Sequence, residues 1–478
     1  MEQILKIVVF LFFLAACGEK DNHSNSSNLK IISFSPTEGS EGTRVTINGS
    51  NFSSTAKENI ITVDGVNTEP LSATWNQLIF NIPAGIALGS YPITVKVGNL
   101  STSSTQFFVV KEKEVPITDP DVLNYNYSIG TQTIGPSYGF TTSDRLVESS
   151  KAILDMGSNI LKISLSTGSY NITGRSYSSI TSLVRDDPSF SEVLNMPFTY
   201  YFFWARSNSN WADEYSNAER LEDSIQIADL TTYLLTKFNN TGKQFYLGHW
   251  ECDWYLLPNY DVTYVPSDSR LNCMIQLYRT RQNAVDEAKR ITSHSNVEVY
   301  SYCEVNRVVD AMNGLRRVVN YVLPYTNVDY VSYSSYDAQG LNQTEYNNVL
   351  NYIEGNLPPR PQIIGKRVFV GEMGRCSYDL SSSKTLHESV NRENIRKAIY
   401  WGAPFVLYWE MYNNEISNGI QKGFWLIDNT NTKWPLYDTY SNFYAKAKQW
   451  VFNQKKILNR LPTREEYMSW ANTTLANP

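Results

Sequence analysis

Histidine is scarce in this sequence, four among 478 residues, and no two stand at the helical spacing from which a zinc site is built, which argues against catalytic zinc. Cysteine is almost as rare, with five copies and no spacing that matches a metal-binding signature. Charge of one sign is missing too. The formal net charge is only −6 and is spread along the chain, so electrostatics suggest neither a nucleic-acid partner nor a polyacidic substrate. The apolar run from Ile7 to Leu14 is too short to span a bilayer, although behind Lys6 it suits the core of a signal peptide. What the chain has in excess is aromatic rings. Its 32 Tyr, 20 Phe and 11 Trp make up 13% of residues, and such rings either stack on flat ligands or fill a large core. Composition alone leaves both open.

The run ends in Leu14-Ala15-Ala16-Cys17, which resembles the bacterial lipobox, where small residues admit the peptidase and the Cys sulfur is acylated. The resemblance implies a signal peptide over 1–16, lipidation at Cys17, and a polar tether over 17–28 that holds a head away from the outer membrane. Glu19 and Asp21 resemble the surface-export signals of Bacteroidetes lipoproteins, which implies a cell-surface location. Four cysteines then remain: Cys252, Cys273, Cys303 and Cys376. An oxidising compartment permits disulfides among them, with three pairings open.

Residues 29–110 read as a small all-β unit, in which β-branched runs such as Arg44–Ile47 and Tyr91–Val97 alternate with Gly, Asn and Pro. The stretch Ile32–Ser40, followed by Val45–Phe52, resembles the IPT/TIG family of Ig-like domains. That resemblance implies an Ig-like sandwich acting as a spacer or binding module, and the spacer is the favoured reading. A charged, Pro-containing linker follows over 111–124.

From 125 to 452, aromatic or β-branched runs alternate with helical segments such as Arg281–Ile291 and Val308–Val322, the rhythm of βα units around a parallel sheet. Eight runs are legible: Tyr127–Gly130, Ile160–Leu165, Phe198–Trp204, Gln244–Trp250, Val297–Tyr302, Tyr330–Tyr333, Arg367–Gly371 and Phe405–Trp409. Eight strand-helix units predict a (β/α)8 TIM barrel, with its site at the carboxyl ends of the strands. The rest, 453–478, reads as a C-terminal helical tail.

In a barrel, a carboxylate just past a strand is a catalytic candidate, whereas one on a helix is ordinarily a solvated charge. Glu251, Glu304, Glu372 and Glu410 hold such positions. The segment Val368-Phe369-Val370-Gly371-Glu372-Met373-Gly374 resembles the strand-seven nucleophile motif of clan A glycoside hydrolases. Carried over, that resemblance makes Glu372 the nucleophile, Glu251 the strand-four acid/base, Trp409 a sugar platform, and Tyr333 or Tyr336 the tyrosine that bonds the nucleophile. It implies a glycan substrate, a retaining two-glutamate mechanism and no cofactor. One departure stands out: the clan has Asn directly before the acid/base, and this chain has Trp250 there. Asn306 beside Glu304 is a substitute for that Asn, or else Glu304 is itself the proton donor.

Retention asks for two carboxyls about 5 Å apart, one protonated near neutrality, and Trp250 and Trp254 supply an apolar setting that would raise the pKa of Glu251. Trp250, Trp254, Glu304, Asn306, Tyr333, Tyr336, Trp409 and Glu410 are the expected substrate contacts, and no metal is expected. A rival reading is a non-catalytic surface glycan-binding lipoprotein that acts with other polysaccharide-utilisation proteins, since an Ig-like spacer behind a lipid anchor is their layout.

Overall fold

The computed structural model describes residues 28–111, 116–206 and 214–477. The leader, Cys17, nearly all of the tether and the middle of the linker lie outside the described residues. Two compact units divide the chain, one ending at Pro116 and one beginning at Ile117. Among the described residues no helix is long and apolar enough to cross a membrane.

In the first unit, period-two alternation decides which residues meet. Val45 and Ile47 on Arg44–Ser50, Ile61 and Val63 on Asn59–Val63, Leu78 and Phe80 on Gln77–Asn81, and Ile93 and Val95 on Gly89–Val97 are fully buried, because residues two apart share one face of a sheet. Four strands form one sheet, in the order Lys30–Ser35, Arg44–Ser50, Gln77–Asn81, Ser72–Ala73. Five form the other, in the order Glu38–Gly39, Leu100–Val110, Gly89–Val97, Asn59–Val63, Val66–Thr68. Phe34 and Phe108 meet across the core with ring centroids 6.3 Å apart, completing an Ig-like sandwich.

The second unit is a TIM barrel. Its eight parallel strands close in chain order: β1 Ile129–Thr133, β2 Ile160–Ser164, β3 Tyr200–Trp204, β4 Gln244–Gly248, β5 Glu298–Val305, β6 Tyr330–Ser334, β7 Val368–Met373 and β8 Val406–Tyr408. Alternation again sorts the side chains. Leu161, Ile163, Tyr201, Phe203, Phe245, Leu247, Val331 and Val370 point outward to the helices. Ile160, Tyr200, Phe202, Tyr246, Tyr302, Phe369, Phe405 and Leu407 fill the barrel, with Phe202 stacked on Tyr246 at 4.4 Å. Many of the surplus aromatics are therefore core. Above them sits a second layer of Ile134, Trp204 and Trp409, flanked by Trp250 and Phe424.

Three expectations need correction. The first strand starts at Ile129 and runs to Thr133, not Tyr127–Gly130; its polar Gln132 and Thr133 are buried inside the barrel wall and hid it from a hydrophobic pattern. The helix expected over Val308–Val322 is broken into Val308–Met312 and Val318–Tyr321, with Gly314 between them at φ +91°, a conformation that only glycine adopts freely. The tail drawn from 453 begins inside a helix, Pro435–Leu458. The last helix, Arg464–Ala476, packs on the barrel through buried Tyr467, Ala471 and Leu475, and the Tyr467 hydroxyl donates to the Tyr127 carbonyl at 2.7 Å.

One irregularity positions the site. Along β7 the register against β6 jumps from Val370 to Glu372, and against β8 from Val370 to Met373. Gly371 is the extra residue of a bulge, which re-aims the side chain after it. Strict alternation from the inward Phe369 would send Glu372 outward; the bulge turns it into the barrel. A Cβ at Gly371 would collide with Ser332 Oγ on β6. Gly371→Ala is expected to lose about 1–3 kcal/mol through this overpacking, read as a lower urea midpoint, while Gly355→Ala, where a Cβ meets nothing within 4 Å, should leave stability within about 0.5 kcal/mol.

Candidate active site

A cavity of about 580 Å³ opens at the carboxyl ends of the strands, lined by Trp204, Trp250, Glu251, Trp254, Asn306, Tyr336, Glu372, Trp409, Asn414, Glu415 and Phe424, with Ile134, Arg206, Arg307 and Asp337. At and beneath its floor one buried ammonium is held between two carboxyls. Lys162, inward on β2 and fully buried, lies 3.0 Å from Glu304 Oε2 and 3.0 Å from Glu372 Oε1, and donates a third bond to the Gly371 carbonyl at 3.0 Å. Burial works against this cation, and Glu304 and Glu372 outweigh it, so its pKa is raised.

Glu251 follows β4 by three residues, and its backbone is held before its carboxyl acts. Its N–H donates to Glu304 Oε1 at 2.9 Å. Next to it, Asp253 accepts from the backbone of Asn306 at 3.0 Å, Arg307 at 3.1 Å and Val318 at 2.8 Å, lashing the β4 loop to the β5 loop. The Glu251 carboxyl accepts from Trp254 Nε1 at 2.9 Å and from Ser334 Oγ. Burial pushes its pKa up to about 7, with the Glu304 charge adding to the rise, while the Ser334 and Trp254 donors and the Lys162 charge hold it down.

Ser334 ties the two carboxyls together. Its hydroxyl bonds Glu251 and lies 3.5 Å from Glu372 Oε2, so the nearest oxygens of Glu251 and Glu372 are within about 6 Å of each other, compatible with the roughly 5 Å spacing of a retaining pair. Burial raises the Glu372 pKa against the pull of Lys162, and Glu304 and Glu251 add to the rise.

Seven expected residues thus share one cavity: Glu251, Glu372, Trp250, Trp254, Asn306, Tyr336 and Trp409. Asn306 Oδ1 accepts from the Asp253 N–H at 3.1 Å. The Tyr336 hydroxyl stands among carboxylates, its pKa raised by burial and then by Glu372 and Glu251. Three residues do not join them. Tyr333 points outward from β6, because Ser332 and Ser334 on either side point in, and its hydroxyl donates to Asp337. Glu304 lies inside β5, fully buried beneath the floor, and accepts from Lys162, Ser332 and the Glu251 backbone. Glu410 is fully buried and accepts from the Ile134 N–H at 2.9 Å, joining β8 to the loop after β1. His249 is buried, and its pKa falls to about 3, by desolvation and then the Arg281 and Arg206 charges, so it is a neutral ring at neutral pH. None of Cys252, Cys273, Cys303 and Cys376 is in a disulfide.

Lys162 and Ser334 escaped the sequence reading. A signal for Lys162 was present: a lone ammonium in Ile-Leu-Lys-Ile-Ser, at the inward parity of a strand with both faces buried. Ser334 carries no such signal. Trp204 Nε1 and Asn414 Oδ1, both on the cavity wall, are buried without a partner among the described residues. Unmade bonds of this kind each cost about 1–3 kcal/mol, which a ligand rich in hydroxyls would relieve. No group of His, Cys, Asp and Glu among the described residues is arranged to hold a metal ion.

Residues 29–109 match the IPT/TIG domain family. No curated protein matches the chain. Among solved structures, the chain is similar to an auxiliary nutrient binding protein from Bacteroides thetaiotaomicron VPI-5482, at 28% identity, over 18% of this chain and 22% of that one, with a TM-score of 0.17; this chain therefore spans about a fifth of that protein's length. It is also similar to a Bacteroides ovatus GH5 xyloglucanase in complex with a XXXG heptasaccharide, at 12% identity over 86% of this chain and 97% of that one, TM-score 0.39. A broad-specificity GH5-4 endoglucanase from Clostridium acetobutylicum matches at 12% identity over 68% and 98% of the two chains, TM-score 0.42.

Removing the ammonium alone leaves two buried carboxyls facing one another. Lys162→Met is therefore expected to destabilise the barrel by about 3–5 kcal/mol in urea unfolding, and Lys162→Met combined with Glu304→Gln to recover part of that loss.

Proposed function

We propose that the barrel is a retaining glycoside hydrolase acting on a polysaccharide or oligosaccharide, with Glu251 as acid/base and Glu372 as nucleophile. The observation that carries this reading is the Ser334 bridge, which holds the nearest oxygens of the two carboxyls within about 6 Å of each other at the base of an aromatic-walled cavity. Glu251, with a pKa near 7, keeps its proton up to about neutral pH and donates it to the glycosidic oxygen. Glu372, ionised against Lys162, attacks the anomeric carbon as the leaving group departs. Glu251, now a carboxylate, then takes a proton from the water that releases the sugar. Trp409, Trp250 and Trp254 supply apolar faces for sugar rings. Asn306, which lines the cavity one residue past β5, takes the part of the amide missing before Glu251.

The rival, a surface protein that binds glycan without cleaving it, is favoured by one observation: Trp250 occupies the position of that amide. Turnover separates the two. Glu372→Gln should abolish release of reducing ends from a responsive polysaccharide while leaving unfolding cooperative, and a mutant that keeps wild-type turnover overturns the assignment. A wild-type protein that binds glycans and releases no reducing ends from any of them supports the rival.

The pH profile follows from the same groups. Glu251 must be protonated, so kcat/KM falls as pH rises through about 7. Glu372 must be ionised, so the acid limb lies above the ordinary carboxylate range. The Ser334 hydroxyl favours ionised Glu251; Ser334→Ala should accordingly move the alkaline limb to higher pH.

We also propose that the mature chain is lipid-anchored through Cys17 to the outer membrane and faces the cell exterior. Cys17→Ala should abolish incorporation of radiolabelled palmitate and release the protein from the membrane fraction; labelling that persists in this variant rules the anchor site out.

A further inference from the structure

A second cavity of about 440 Å³ adjoins the first and shares Trp204 and Arg206 with it as lining. Its chemistry is different. The first cavity is lined by Glu251, Glu372, Glu415 and Asp337 together with Arg206 and Arg307, whereas the second has no carboxylate among its described lining residues. Its wall consists largely of hydroxyls, Ser164, Ser166, Thr167, Ser169, Ser178 and Ser179, with Arg206 as its one cation among the described lining residues. The remaining polar groups are already engaged. Tyr177 donates to Asp187 at 3.0 Å, and the Gln226 amide accepts from the Ile180 N–H at 3.3 Å and donates to Glu222 at 2.5 Å. The Trp204 indole N–H, on a side chain more than nine-tenths buried, has no partner among the described residues and lies on the wall common to both cavities.

Neutral sugars are bound by acceptors as much as by donors, because each hydroxyl has a proton to give, and carboxylates are the strongest acceptors available. A pocket with an Arg, an open indole N–H and rotatable hydroxyls, but no carboxylate among its described lining residues, is suited instead to an anion. The guanidinium offers a planar fork that matches carboxylate or sulfate oxygens. In the first cavity the charges of Glu372 and Glu415 oppose the same anion, although Arg206 and Arg307 also line it.

We propose that this second cavity is a subsite for an acidic sugar, one bearing a carboxylate or a sulfate ester, joined to the neutral sugar that occupies the catalytic cavity. The substrate class is then an acidic or acid-decorated glycan. This inference rests on the glycosidase reading only for the linkage between the two subsites; the preference for an anion rests on the second cavity alone.

The test uses the whole ectodomain and three small probes, glucuronate, glucose 6-sulfate and glucose, titrated by ligand-observed NMR in low salt. At least one acid probe is expected to bind with a Kd about fivefold or more below that of glucose, and comparison of the two acids tells carboxylate from sulfate. The advantage should disappear in Arg206→Gln and in Ser178→Trp, which fills the second cavity from its rim, and should shrink as salt is raised. It should survive in Glu372→Gln. Equal binding of all three probes, or an acid advantage that persists in both Arg206→Gln and Ser178→Trp, overturns the proposal. An acid advantage in a protein that hydrolyses no glycan would leave the subsite standing and remove the hydrolase reading.

Discussion

Everything at the mouth of the barrel depends on a single buried ammonium. Lys162 sits at the centre of the strand ends, fully buried, with Glu304 on one side and Glu372 on the other. Desolvating an ion costs several kcal/mol, and only close, well-aligned partners offset it. Glu304 in turn uses its other oxygen to hold the Glu251 backbone. The cation on β2 thereby fixes the candidate nucleophile directly and the candidate acid through one intermediary, linking β2, β4, β5 and β7.

That arrangement gives Glu251 a different set of contacts from the other two carboxyls. Those two touch Lys162; Glu251 does not, and burial drives its pKa to about 7. Burial raises Glu372 as well, and the Lys162 charge opposes that rise, an environment that favours the ionised form of a nucleophile beside an acid. Ser334, bonded to Glu251 and close to Glu372, sets the spacing between them. A TIM barrel suits such a cluster, because inward side chains of adjacent strands converge at the carboxyl end while the aromatic layer of Phe202, Tyr246, Tyr302 and Phe369 closes the barrel beneath it.

Much of the framework was legible. Alternating β-branched residues marked the sandwich, and all eight barrel strands were found within a few residues of their place, because strands with both faces buried read as continuous apolar or aromatic runs. The first strand was misplaced where buried Gln and Thr broke that pattern. Glu251 and Glu372 stand at strand ends, Trp250, Trp254 and Asn306 are neighbours of such carboxylates, and Trp409 and Tyr336 are what the glycoside hydrolase resemblance implies; all seven line one cavity. Glu304 and Glu410, expected from their strand-end positions, and Tyr333, the resemblance's alternative to Tyr336, do not line it, since proximity to a strand end leaves the direction of a side chain open. Parity turns Tyr333 outward, one register position draws Glu304 below the floor, and the Ile134 N–H holds Glu410 against β1.

The sequence by itself determined the order of elements, the all-β character of the first unit, the eight-fold alternation of the second, and which strand ends carry carboxylates. These are properties of local pattern, written in neighbours along the chain. Tertiary structure decided that Lys162 would serve both Glu304 and Glu372, that Ser334 would bridge the two candidate catalytic carboxyls, and that a bulge at Gly371 would turn Glu372 into the barrel. Each of these joins residues on different strands, from 38 to 210 positions apart. Pairwise contact across a closed sheet depends on register and on one extra residue in one strand, neither of which local pattern records.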